Sequence, residues 1–407
     1  MTGQWDDIAM NAGWLTAEPP KGPVVFDGPL PVGLKRVPMG VDVDDRRYMI
    51  VNMGPQHPST HGVLRVILAL DGEEVQAGEA VVGYLHRGIE KLCEHTVYDA
   101  VATRMDRGDY LSSIMNELAF TLAVEKLMDI EVPRRANWLR VLTCEVNRLA
   151  SHLVWYASYG LDVGGMGQFL YAFRDRESLL EVLEDITGQR MMFYYMRIGG
   201  VANDITASAE KKLRTFLDKF DTLLEEHDQL IGGNELFQHR TKGVGVITRE
   251  QAIGFGVSGA NGRASGLDFD VRRDRPYAAY DELEFDVPVM TSGDGWARYV
   301  VRIEEMRQSV RLIKQCLAGM PEGDIRDKTR KNIKPPKGES YAAVESARGE
   351  LGVYLVSDGG PTPYRMRYRP PTLFALQAAE AILPGLLLAD AVATLGGIDL
   401  VLGETDR

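Results

Sequence analysis

A chain of 407 residues with 45% hydrophobic and 26% charged residues has the composition of a folded protein, long enough for two or three domains or one large core with extensions. Its formal net charge of −12 argues against nucleic acid as the main partner, because a phosphate backbone demands a surplus of lysine and arginine. Three scattered cysteines, Cys93, Cys144 and Cys316, form no Cys-x-x-Cys pair; they fit a reducing compartment and exclude a four-thiolate iron–sulfur cluster held by this chain alone. The opening residues, Met1 to Asp7, are acidic and lack the basic and apolar regions of a signal peptide. No apolar run reaches about 18 residues, the lower range for a membrane span. The nearest, Ala378 to Leu402, is cut by Glu380, Pro384, Asp390, Gly396, Gly397 and Asp399. The expectation is a cytosolic protein, or one held on a membrane surface by partners.

In chain order, residues 1–47 read as an extended arm rich in proline and glycine. Residues 48–53 and 63–70 have strand character. Asp71-Gly72 then signals a two-residue hairpin, with a return strand from Val75 to Val82. A small β-rich region is therefore expected over 48–96. From about residue 97 the period becomes helical. Leu139, Leu142, Val146, Leu149, Leu153 and Tyr156 recur at three and four residues, behind Pro133 as a start and before Gly160 as a stop. A second stripe runs from Leu213 to Ile231 and ends at Gly232-Gly233, and a third runs from Trp296 to Leu317. With helices near 110–128 and 168–187 they predict a bundle over 97–340. His227 lies in the second stripe and reads as a packed structural residue. Over 341–407, Leu351 to Val356 and Tyr364 to Arg369 predict strands of a β-hairpin, and a helix follows from about Thr372. Arg365, Arg367 and Arg369 share one strand face, open to a carboxylate-rich partner or to solvent. The fold class is α+β: mainly a helical bundle, with a small N-terminal antiparallel sheet and a C-terminal hairpin.

Chemistry concentrates in Gly54-Pro55-Gln56-His57-Pro58-Ser59-Thr60-His61-Gly62. Two of only seven histidines stand four apart in a glycine-bounded loop. Pro58 fixes its own φ and drives His57 out of the helical region, so this is not the helical His-x-x-x-His face of a zinc site. A stiff loop presenting two imidazoles to a ligand is the favoured reading. Gly254-Phe255-Gly256-Val257-Ser258-Gly259 matches a dinucleotide pattern, but a helical turn precedes it where a strand is needed. The glycine-rich residues after it predict a flexible connection rather than a helix N-terminus. Arg272, Arg273 and Arg275 follow and could contact a partner. A metal at His57 and His61 needs further ligands; His86, Glu90, His95 and Asp162 are available, without a coordinated spacing. A third reading is a proton-coupled redox site: His61 as donor to a carbonyl, an aspartate such as Asp162 raising its pKa, and Tyr110 as a phenolic donor. Spacing alone does not bring these three together.

Asn52-Met53-Gly54-Pro55-Gln56-His57-Pro58-Ser59-Thr60-His61-Gly62-Val63 resembles the opening signature of the D subunit of bacterial NADH–quinone oxidoreductase, the 49-kilodalton subunit of respiratory complex I. Gly83-Tyr84-Leu85-His86-Arg87-Gly88-Ile89-Glu90-Lys91, Asp106-Arg107-Gly108-Asp109-Tyr110, Leu161-Asp162-Val163-Gly164, and the ending with Asp399 and Gly403-Glu404-Thr405-Asp406-Arg407 match it in order. The likeness runs from about residue 48 to the end. The family is related to the large subunit of nickel–iron hydrogenases, where two Cys-x-x-Cys pairs hold the metals. The corresponding places here, Arg87-Gly88-Ile89-Glu90 and Asp399 to Leu402, carry no cysteine, so hydrogenase chemistry is not expected.

The resemblance implies a hydrogenase-large-subunit-like fold and a quinone pocket in the former metal cavity. It implies Tyr110 and His61 as headgroup ligands, Asp162 as the aspartate paired with the histidine, His57 in the same loop and Arg87 supporting the cavity. It further implies no cofactor bound by this chain, quinone as substrate, and electrons from an iron–sulfur cluster in a neighbouring small subunit. The implied partners are that small subunit, other peripheral-arm subunits and a membrane-arm subunit, on the cytoplasmic face of the bacterial inner membrane. A structural scaffold docking the cluster-bearing subunit to the membrane arm, and a subunit of a related hydrogenase-like complex with another acceptor, remain the alternatives.

Overall fold

Val66, Leu68 and Leu70 point to one side of their strand, and this period of two builds the N-terminal sheet. The computed structural model describes residues 24–26, 48–57, 61–327 and 333–407. The strands in order are β1 (Val24–Phe26), β2 (Tyr48–Met53), β3 (Gln56–His57), β4 (Gly62–Val63), β5 (Arg65–Asp71) and β6 (Glu74–Val81). An antiparallel sheet runs β1-β2-β5-β6, and β3 pairs with β4 as a separate two-stranded hairpin. Asp71 pairs with Glu74, so the turn is Gly72-Glu73, one residue later than Asp71-Gly72; Gly72 supplies the left-handed residue at φ 63°. Of the expected arm, Val24–Phe26 lies on β2 as an edge strand; the remainder falls outside the described residues.

The helical part comprises α1 (Ile89–Glu94), α2 (Tyr98–Met105), α3 (Ser113–Met128), α4 (Arg134–Asp162), α5 (Met166–Thr187), the short pair β7 (Met196–Arg197) and β8 (Gly200–Val201), α6 (Ala207–His227), α7 (Glu235–Thr241), α8 (Arg249–Phe255), α9 (Gly259–Ala264), α10 (Val271–Asp274) and α11 (Gly295–Gly319). Thr206 and Asp294 cap α6 and α11 by accepting the N–H of Ala209 and Ala297. Every residue of α4 from Trp138 to Gly160 is buried, which makes it the centre of the bundle. Gly160 does not stop this helix. It lets α4 approach its neighbours: a Cβ there would stand 2.5 Å from Gln168 Nε2 and 2.8 Å from Ile231 Cδ1. The helix runs on to Asp162, and Gly164 at φ 92° follows the end. His227 is packed as expected, with Nε2 2.8 Å from Asp175 Oδ2.

One expectation about the glycine-rich stretch is corrected. Residues 259–264 are a buried helix, α9, instead of a flexible connection, because small residues let it press against α11 and the C-terminal sheet. Arg272 is buried on Asp270 and Glu145, while Arg273 pairs with Asp268 and Asp274 and Arg275 with Glu350.

The chain closes with β9 (Gly338–Ser346), β10 (Gly349–Ser357), β11 (Arg365–Arg369), α12 (Pro371–Ile382), α13 (Leu388–Ile398) and α14 (Leu402–Asp406). The expected hairpin is part of a three-stranded sheet, β11-β10-β9. The arginine face of β11 is used inside the fold: Arg365 pairs with Glu94 at 2.8 Å and Arg367 with Glu90 at 3.0 Å, while Arg369 Nη1 donates to the Glu350 carbonyl. No helix among the described residues is long and apolar enough to cross a membrane.

One hydrophobic core joins the bundle to the C-terminal sheet; a second joins the N-terminal sheet to α12 and α13. The segment after β6 therefore meets the last residues of the chain. Asp406 receives the N–H of Gly83 at 2.8 Å and of Leu85 at 2.6 Å, and the Arg407 carbonyl receives those of Arg87 and Gly88. Charge-assisted bonds of this kind are strong, so Asp406→Ala should cost roughly 2–4 kcal/mol in thermal unfolding, with Asp406→Asn, which keeps an acceptor oxygen, losing less.

Candidate functional site

The site forms where these segments converge. Gly62 in β4 has φ 142°, and a Cβ there would stand 2.8 Å from Leu85 Cδ1, 2.9 Å from Leu402 Cβ and 3.3 Å from Tyr110 Oη. Only glycine lets the β3–β4 hairpin close on all three. A Cβ on Gly403 would stand 2.7 Å from the Gly108 carbonyl and 2.9 Å from Tyr110 Cε1, so α14 lies directly against the tyrosine ring. Leu111, Val154 and Val401 pack with Tyr110 as a small apolar cluster.

His61, at φ 41°, turns its ring inward. Its Nε2 lies 3.7 Å from Asp399 Oδ1 and 3.4 Å from Ser158 Oγ. Asp399 caps α13 in the left-handed conformation, φ 64°. A carboxylate at a helix C-terminus opposes the helix dipole, and the fold compensates. Arg302 donates to the Gly397 and Ile398 carbonyls at 3.2 Å each, and Trp155 Nε1 to the Gly396 carbonyl at 3.1 Å. Arg348 then bridges two buried carboxylates: Nη2 donates to Asp399 Oδ1 at 3.2 Å and Nη1 to Asp109 Oδ2 at 2.9 Å. Asp109 Oδ1 accepts the N–H of Leu111 at 3.0 Å and of Ser112 at 3.2 Å, fixing the turn that carries Tyr110.

Burial dominates the electrostatics. It lowers the His61 pKa to about 4, overriding Asp399, which acts to raise it. The expected rise from a neighbouring aspartate is thus outweighed, and the resting imidazole is neutral. Burial, then the charge of Asp109, pushes the Tyr110 phenol up to about 12. Burial and Asp109 also push Glu404 up to about 8, so this carboxyl keeps its proton at neutral pH; Oε1 accepts the Thr372 N–H at 3.0 Å.

Tyr110 Oη reaches the hairpin at Gly62, the residue that follows His61. The carboxylate at the imidazole is that of Asp399. Asp162 ends α4 with its carboxylate against Gly396, at the same end of α13, where its charge acts on the Tyr159 phenol. Arg87 is exposed, donates to the Arg107 carbonyl and acts electrostatically on Tyr110. The His57 backbone pairs with Gly62; its side chain falls outside the described residues. Asp109 and Asp399 stand inside motifs that the sequence singled out, but Ser158 and Arg348 carried no signal. Among the described residues no group of three His, Cys, Asp or Glu side chains could hold a metal ion. A surface groove of about 610 Å³ between α6 and α11 shares no residue with this cluster, and its Arg307 and Arg311 are paired with Glu304, Glu284 and Asp286.

A histidine held below its ordinary pKa opposes folding in acid. Between pH 6.5 and about 4 the unfolded chain takes up a proton that folded His61 refuses, so stability falls with pH by up to ~1.4 kcal/mol per unit. Denaturant unfolding at pH 7 and pH 5 should show His61→Asn losing less stability in acid than the unaltered chain. An equal loss in both would place the imidazole at its ordinary pKa.

Comparison with known proteins agrees over most of the length. A family model described as the 49 Kd subunit of respiratory-chain NADH dehydrogenase matches residues 162–336 and 327–407. The chain is 49% identical over 356 residues to the NADH-quinone oxidoreductase D subunit of Carboxydothermus hydrogenoformans, covering 88% of this chain and 98% of that one. It is 47% identical over 359 residues to the D subunit of Geobacillus kaustophilus, covering 88% and 98%. It is 45% identical over 359 residues to the D subunit of Bacillus mycoides, covering 88% and 98%. With motifs, fold and relatives in agreement, the chain belongs to the family of the 49 Kd or D subunit of NADH–quinone oxidoreductase (respiratory complex I), and is thus one subunit of an oxidoreductase complex.

Proposed function

We propose that this chain supplies the headgroup site at which the complex reduces quinone. The observation that carries this reading is the approach of Tyr110 Oη, from a separate segment and at the edge of an apolar cluster, to Gly62, directly after His61. A quinone headgroup is flat and apolar with an acceptor oxygen at each end, and two spaced donors on an apolar floor complement it. Tyr110 Oη–H donates to one carbonyl oxygen and a His61 N–H to the other. Two electrons come singly from an iron–sulfur cluster in a neighbouring subunit, because three separate buried thiols cannot hold one here.

Reduction places negative charge on the quinone oxygens, and preorganised donors stabilise it. A neutral imidazole is a poor acid. The charge building beside it raises its pKa, so His61 binds a proton from solvent and passes it on as a general acid. Tyr110, held at about 12, keeps its proton until the neighbouring oxygen becomes strongly basic. Two electrons and two protons then yield the quinol. Asp399, and Asp162 at the same helix end, stabilise the transient imidazolium. Arg87 offsets negative charge near Tyr110, and His57 contributes from the same hairpin. The change of charge at His61 is the input to proton translocation by membrane subunits, with this chain held peripherally on the cytoplasmic face.

NADH oxidation by membranes carrying Tyr110→Phe tests the reading. Turnover with quinone should fall at least about tenfold, roughly 1.4 kcal/mol in the barrier, while an artificial acceptor that draws electrons upstream is reduced normally. Unchanged activity with both acceptors would favour a docking scaffold. If both activities collapse, His61→Gln serves as the milder variant in the same pair of assays.

A further inference from the structure

Arg348 sits in the two-residue turn Ala347-Arg348 between β9 and β10, because Ser346 pairs with Gly349. Turn side chains ordinarily face water. This one is 2% exposed. Its Nη1 meets Asp109 Oδ2 at 2.9 Å, Ser151 Oγ at 2.9 Å and Ser112 Oγ at 3.4 Å, and its Nη2 meets Asp399 Oδ1 at 3.2 Å. Asp109 fixes the turn of Tyr110, and Asp399 faces His61. One guanidinium therefore ties the segment presenting the phenol to the segment facing the imidazole.

We infer that Arg348 is a positioning residue of the headgroup site, clamping Asp109 and Asp399 so that Tyr110 and His61 keep the spacing a quinone requires. The inference rests on the quinone reading and extends it to a residue that touches neither donor. A planar fork can hold two carboxylates in fixed directions; a single ammonium cannot.

The surrounding backbone is shaped to seat this turn. A Cβ on Gly259 would stand 2.5 Å from the Arg348 carbonyl and 2.5 Å from Gly349 Cα. Ser258 Oγ accepts the N–H of Glu350 at 2.9 Å. The glycine-rich stretch that mimics a dinucleotide fingerprint thus has another use: its last residues, Ser258 and Gly259, bring the start of α9 close enough to hold the Arg348 turn.

The charged groups that act on His61 are Asp399 and Asp109, which raise its pKa, and Arg348 and Arg176, which lower it. Arg348→Gln removes a cation and leaves two carboxylates facing the ring, so the imidazole should ionise nearer neutrality. Arg348→Lys keeps the charge and loses the clamp. The assembled complex in membranes, assayed with a short-chain quinone and with the upstream artificial acceptor, separates the two effects. Both variants should reduce the artificial acceptor normally and lose at least about tenfold in kcat/KM for quinone. The acid limb of the pH profile should move upward in the Gln variant and stay in place in the Lys variant.

Quinone kcat/KM within about twofold of normal in the Lys variant, or a fall in both variants without movement of the limb in Gln, would overturn the inference. If the Gln complex does not assemble, the Lys variant decides alone; loss of both its activities would assign Arg348 a purely structural role and likewise overturn it. The two readings fail separately. Normal quinone turnover in Tyr110→Phe removes the quinone reading itself. Slow turnover there with normal turnover in Arg348→Lys removes only the clamp.

Discussion

A charge taken out of water must be met by an opposite charge or by aligned dipoles, and this constraint organises the bundle. Helix α4 carries Arg140, Glu145, Arg148 and His152 through the core with no exposed face to hold them. Each is answered from another element. Glu125 of α3 takes both ends of the Arg140 guanidinium at 2.9 and 2.6 Å. Burial works to raise the Glu145 carboxyl, and Arg148 and Arg272, with hydrogen bonds from Ser309 and Tyr280, outweigh it and hold the group at about 2. Glu305 meets His152 at 3.0 Å and also pairs with Arg263, which reaches Glu345 at 2.8 Å. Such a network adds little net stability over an apolar core, but removing any one member strands its partners. It sets the positions of α3, α4, α9, α11 and β9 relative to one another.

The candidate site holds a second buried set of such charges. Arg348 enters from the hairpin tip, Asp109 from the turn before α3 and Asp399 from the end of α13. Those are separate parts of the sequence: one core packs the bundle against the C-terminal sheet that carries Arg348, and the Arg348 guanidinium itself reaches Asp399 at the end of α13. Rigidity at the site follows from the expense of unpairing any of these groups, and a two-donor site needs that rigidity to hold its spacing.

Much of this was legible in the residues. The apolar stripes located α4, α6 and α11, and strand alternation located β5, β6 and β10. The motif containing His57 and His61 marked the hairpin that closes on Tyr110. What escaped was the use of residues whose role depends on contacts distant in sequence. Gly160 reads locally as a stop, but the need to pack against Gln168 and Ile231 overrides that signal. Gly259 and its neighbours read as flexible, yet they are small because backbone passes close by. The arginines of β11 read as a face open to a partner or to solvent, since nothing local shows that Glu90 and Glu94 of α1 pair with two of them. A lone arginine between alanine and glycine in a turn offers no periodicity to interpret.

The same limit applies to the chemistry of His61. An aspartate beside a histidine suggests an imidazolium, and sequence can supply the pairing of types but not the depth of burial. At 3.7 Å, Asp399 is too far for a hydrogen bond, and the same carboxylate already receives Arg348, so much of its charge is neutralised. Desolvation then wins and the ring rests uncharged. That outcome suits a site that must respond to electrons. A permanently protonated histidine would stabilise negative charge from the start and change little when it arrived. Under the proposed quinone reading, a neutral ring beside a carboxylate that is already shared would take up its proton only when the headgroup becomes anionic, so that proton uptake would follow electron arrival through electrostatics alone.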